Sequence, residues 1–121
     1  MDNHLHLVAQ APNLGSVVRD FKRHTARALL KLAEESRNEW LLNQFQHYRL
    51  KHKQESTHQV WQEGSHPQLI HGRAMLLQKM EYIHNNPVRR GWVELPEHWR
   101  WSSASNYAEG RGVIEIDSLP E

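Results

Sequence analysis

Residues 4–8 read His, Leu, His, Leu, Val, alternating with a period of two. That period predicts a strand, with Leu5 and Leu7 on one face and His4, His6 and Val8 on the other. Residues 10–13 end it, and a helix follows, capped by Asn13 or by Ser16. Leu14, Val17, Phe21, Ala28 and Leu32 recur at helical spacing, with Val18 and Leu29 at the margin, and predict a helix to about Glu35. Trp40, Leu41, Leu42 and Phe45 suggest a short second helix. Residues 49–58 are mostly polar and predict a loop. Val60-Trp61-Gln62 and Gln68-Leu69-Ile70 read as strands or extended runs, broken by Gly64-Ser65-His66-Pro67. A third helix is expected from Gly72 through Asn85, stopped by Pro87. Met75, Leu76, Met80 and Ile83 mark its apolar face, with Leu77 beside them. Gln78, Tyr82 and Asn86 line up four apart on another face. The tail is rich in aromatic residues, which are expected to wrap the core.

A chain of 121 residues, 38% apolar and 24% charged, suits one folded domain rather than a disordered segment. The absence of cysteine excludes disulfides, thiolate metal sites and cysteine nucleophiles. No apolar run approaches the roughly 18 residues a membrane span needs, so the expected setting is cytoplasmic, with no membrane partner. The net charge of +1 hides an uneven distribution. Arg19, Lys22, Arg23, Arg27 and Lys31 crowd the first helix, Arg49, Lys51 and Lys53 follow, Arg89 and Arg90 come after the tyrosine segment, and the balance turns acidic past residue 93. Such a basic face either binds a polyanion or is an ordinary solvated surface.

The chemistry lies in two places. His4 and His6 project from one side of the predicted strand, where two imidazoles can converge on an ion. With ten histidines in the chain, a chance pair with a structural role is the competing reading. Asp2 is a possible outer partner of such a site. Tyr82 lies on the third helix. A phenol is a weak nucleophile until an ion orients and polarises its target. Asn86, one turn on, can add an amide ligand, although a residue before proline is pushed from helical dihedrals. Gln78 is the alternative amide. The competing reading makes Tyr82 a core-margin residue and Asn85-Asn86-Pro87 a helix stop.

Several segments, in order, resemble the single-tyrosine (HUH-type) transposases of the insertion-sequence and REP-associated kind. Residues 1–8, Met-Asp-Asn-His-Leu-His-Leu-Val, resemble the family's histidine strand. Residues 20–25 resemble a stretch of its helix, and residues 60–67 a segment of one bacterial branch. Residues 82–91, Tyr-Ile-His-Asn-Asn-Pro-Val-Arg-Arg-Gly, are the strongest match. Trp101-Ser102-Ser103-Ala104, followed by Tyr107, is similar to the tail. The resemblance implies an α+β fold: a small antiparallel sheet backed by helices in a ferredoxin-like transposase domain spanning residues 1–121. It implies metal-dependent cleavage and joining of single-stranded or hairpin DNA through a 5′-phosphotyrosine intermediate, in a homodimer. By motif, Tyr82 is the nucleophile, and His4, His6 and Asn86 are the protein ligands of Mg or Mn. Arg19, Lys22, Arg23 and Arg27 are the candidate DNA contacts. Two departures stand out. Asp2 replaces a common proline, and a leading strand and helix usual in relatives are absent before the histidine strand. The latter leaves an exposed sheet edge, to be completed by another chain, or marks a fragment. The alternative expectation is a catalytically inactive remnant that binds nucleic acid.

Overall fold

A computed structural model describes residues 3–49 and 55–120. Asp2, Lys51 and Lys53 fall outside the described residues. The chain divides into two compact units, one formed by Ala9–His66 and one by Met1–Val8 with Pro67–Glu121.

In the first unit, α1 spans Leu14–Glu35 and α2 spans Glu39–His47. Asn13 caps α1, its side-chain oxygen accepting from the Ser16 N–H at 3.2 Å, and Asn38 caps α2 by accepting from Leu41 at 3.0 Å. These bonds satisfy amide groups that a helix start leaves without an internal partner. The inward face of α1 is not the expected one. Leu14, Val18, Lys22, Thr25, Ala26 and Leu30 are half-buried and Ala33 is buried, whereas Val17, Phe21 and Leu32 are exposed. Trp61 accounts for part of this turn. Its indole N–H donates to Thr25 Oγ1 at 2.9 Å, and the Thr25 hydroxyl donates to the Phe21 carbonyl at 2.8 Å. Packing a large indole requires a partner for its N–H, so the threonine faces inward.

In the second unit, α3 spans Gly72–Arg89, a 3₁₀ turn spans Pro96–His98 and α4 spans Ala104–Glu109. Pro87 lies inside α3 instead of stopping it. The helix ends at Arg89 with Arg90 as its cap, and Gly91 follows with a φ of 73°. The Gly91 N–H donates to the Val88 carbonyl at 2.9 Å, and the Trp92 N–H reaches the Pro87 carbonyl at 3.0 Å. This paired closure needs a left-handed residue just past the helix, which glycine adopts without a steric penalty. Leu76 and Pro87 on α3 and Ala104 on α4 are buried. The Trp92 and Trp99 rings pack 5.2 Å apart. Trp101 is 69% exposed, so the tail aromatics cover the core only in part.

The fold class corrects the α+β expectation. The described residues contain helices and no strand. An extended run becomes a strand only by exchanging backbone hydrogen bonds with a neighbour. Residues 4–8, 60–62 and 68–70 are irregular and form no ladder with one another. The segment at 60–62 is tied to α1 by Trp61 and, next to it, to α2 by the Gln59 N–H donating to the Phe45 carbonyl at 2.9 Å. The antiparallel sheet and the ferredoxin-like arrangement are therefore absent from the described residues.

Candidate active site

Tyr82, Asn86 and Arg89 stand at positions i, i+4 and i+7 of α3, which places them on one helix face. Because α3 continues past Pro87, Asn86 keeps its helical position. Residues 3–8 bring the histidines to this face. His6 Nε2 lies 3.1 Å from Asn86 Nδ2, across 80 residues of sequence. The His6 and Tyr82 rings meet edge to face, centroids 6.2 Å apart and planes at 88°. His4 stacks on His6 at 6.4 Å, with planes 15° apart, and its Nδ1 meets the Asn3 side-chain oxygen. The four residues that motif assigns to the chemistry thus gather within one unit. Gln78 has no such contact, so Asn86 is the amide at the site. Asn85 turns back to its own helix, donating to the Glu81 carbonyl at 3.0 Å.

Burial, followed by the charge of neighbouring His4, holds the His6 imidazole below the ordinary histidine value of 6.5. A neutral imidazole keeps a lone pair for a metal or a hydrogen-bond donor. The donor set can be judged against an ion. Two ligand atoms about 2.1 Å from one cation and at right angles lie roughly 3 Å apart, close to the His6–Asn86 spacing. The amide nitrogen and oxygen exchange places by rotation, which presents the oxygen for coordination. Among the described residues no three His, Cys, Asp or Glu side chains form a metal group. The fitting set therefore depends on the Asn86 amide.

Tyr82 is 51% exposed, so its face is an open surface. The Arg89 guanidinium carbon sits 4.3 Å from the Tyr82 ring centroid, and Arg89 Nη2 donates to the Tyr82 carbonyl at 3.0 Å. A groove of about 430 Å³ lies along α3, the 3₁₀ turn and α4, lined in part by Leu77, Met80, His84 and Tyr107, and neither Tyr82 nor Asn86 lines it. His84 Nε2 there lies 2.9 Å from Ser103 Oγ, and burial pushes the imidazole below its ordinary value.

The candidate DNA contacts lie on α1, in the other unit. Arg19, Arg23 and Arg27 are exposed at successive four-residue steps and form a ridge. Arg19 also pairs with exposed Asp20 at 3.2 Å. Lys22 is half-buried and donates to Ser65 Oγ at 3.0 Å, so it stands apart from the ridge. No helix among the described residues is long and apolar enough to cross a membrane.

Sequence reasoning named Arg89 only as a local cation, without its contact to Tyr82, and missed the His84–Ser103 pair. The seven-residue step from Tyr82 to Arg89 was the available signal for the first. The second joins α3 to a turn 19 residues away, and no local pattern marks it. No protein-family model, no curated protein and no solved structure matches this chain.

Proposed function

We propose that the chain is a metal-dependent transposase acting on single-stranded or hairpin DNA, with Tyr82 as its nucleophile. The observation that carries this reading is the meeting of His6 with both Tyr82 and Asn86. The open setting of Tyr82 also suits a polymer backbone better than an enclosed small molecule. Tyr82 Oη forms a bond to phosphorus as the bond from phosphorus to the 3′-oxygen breaks. The phenol proton passes to solvent, and the departing oxygen takes up a proton to become a 3′-hydroxyl. The product is a 5′-phosphotyrosine, and attack by a 3′-hydroxyl reverses it in strand joining. His4, His6 and Asn86 would hold Mg or Mn. Such an ion would polarise the phosphate and offset charge on the leaving oxygen. Arg19, Arg23 and Arg27 contact phosphates without reading sequence, and Lys22 contributes after leaving Ser65.

A Tyr82→Phe variant tests the reading. It should form no covalent adduct with single-stranded DNA in the presence of Mn, and should bind DNA within about threefold of the parent chain. Equal adduct formation by that variant rejects the nucleophile.

The exposed ridge of Arg19, Arg23 and Arg27 also supports a second reading, a nucleic-acid binder without cleavage activity. It expects salt-sensitive DNA binding and no metal-dependent turnover. A homodimer is part of the first reading and is supported by the exposed Val17, Phe21 and Leu32 of α1, apolar surface that a second copy would remove from water. Sedimentation analysis showing only monomer at working concentration would dismiss it.

A further inference from the structure

Proline inside a helix removes one amide donor and crowds the carbonyl four residues earlier. For Pro87 that carbonyl belongs to Ile83, the residue after Tyr82. Arg89 reaches back across Pro87 to Tyr82. Its Nη2 donates to the Tyr82 carbonyl at 3.0 Å, and its guanidinium carbon lies 4.3 Å from the Tyr82 ring centroid. A planar cation over an aromatic face is attracted by the ring quadrupole, by about 0.5–1 kcal/mol at an exposed site. The same side chain thus holds both the backbone and the ring of one residue.

We propose that Arg89 is the positioning residue for Tyr82: it fixes the ring against α3 so that the hydroxyl is presented in one orientation. The role for catalysis rests on the transposase reading, whereas the immobilisation of the ring does not. The guanidinium plane is the essential feature. Lysine at the same place is a compact point charge that cannot lie flat on the ring while bonding a carbonyl. Arg90 does not substitute, because it occupies the helix cap, one position off the Tyr82 face.

The test uses the full chain with ¹³C-labelled tyrosine, Arg89→Lys and Arg89→Met variants, and single-stranded DNA with Mn. The chain has three tyrosines, so a Tyr82→Phe spectrum assigns the resonance of interest, and Tyr48 and Tyr107 report whether the fold is intact. Both variants should move the Tyr82 ring resonances and leave the other two in place. Adduct formation by prebound DNA should slow on the order of 10- to 100-fold, the penalty typical of a misplaced reacting group. DNA affinity should stay within about threefold, separating positioning from binding. Unmoved Tyr82 resonances overturn the proposal, and so does an unchanged adduct rate or full rescue by lysine. If the parent chain forms no adduct, the transposase reading fails. The Tyr82 resonances then decide whether Arg89 holds the ring.

Discussion

At the residue scale, the proposed chemistry and the packing contacts occupy opposite faces of α3. Tyr82 and Asn86 face the histidine segment, whereas His84 faces the 103–107 region. Removing the Asn86 side chain deletes a hydrogen bond that joins the histidine segment to α3 at this face. Asn86→Ala should therefore weaken Mn binding by about 10- to 100-fold, read by calorimetry, with little change in helix content. Unaltered affinity would remove Asn86 from the ligand set. His84 gives a pH signature of a different kind. Burial lowers its folded-state value below the ordinary 6.5, so the unfolded chain binds the proton more readily. The contribution of neutral His84 to stability is present above that value and is lost as the pH falls below it. The stability advantage of the parent over His84→Gln should shrink between about pH 8 and about pH 5 in urea titrations. An advantage independent of pH would contradict the burial argument. The meeting of His6 with Tyr82 and Asn86 was anticipated from residue type, since imidazole, amide and phenol are groups that can share one site. Arg89 was not legible, because an arginine near a helix end is ordinary until its guanidinium is seen on a ring.

At the element scale, helices were readable and their boundaries and faces less so. The Asn13 cap and the 14–35 span follow from local chemistry, since a cap bond and helical spacing are short-range. The inward face of α1 depends on Trp61, 36 residues from Thr25, and periodicity within the helix carries no trace of that partner. The end of α3 shows two signals in competition. Pro87 disfavours helix, but Gly91 supplies a closure beyond it, so the last turn survives. Gly91→Ala forces a left-handed alanine, with nothing nearby for its methyl group to strike. The expected penalty is about 1–2 kcal/mol from backbone strain alone, seen as a lower thermal midpoint. A midpoint unchanged or raised would show that this closure does not hold the helix end.

At the scale of the whole molecule, the absence of a sheet among the described residues is the main departure from the family resemblance. Alternation records which side chains could share a face, but a strand exists only when another backbone supplies hydrogen bonds. The meeting of residues 4–6 with residues 82–86 occurs without a sheet, through side chains on an extended segment and a helix. The basic ridge belongs to the other unit and is testable by itself. Replacing Arg19, Arg23 and Arg27 by alanine should flatten the salt dependence of single-strand binding by about 2 in logarithmic slope, since each phosphate contact contributes roughly 0.7. An unchanged slope would remove the ridge from the DNA interface. The most direct measurement of the central claim is peptide mass mapping after the chain reacts with a single-stranded oligonucleotide and Mn. The account predicts one DNA-linked peptide, modified at Tyr82 and abolished by chelation. Attachment at another residue, or strand cleavage with no covalent protein–DNA product, would contradict it.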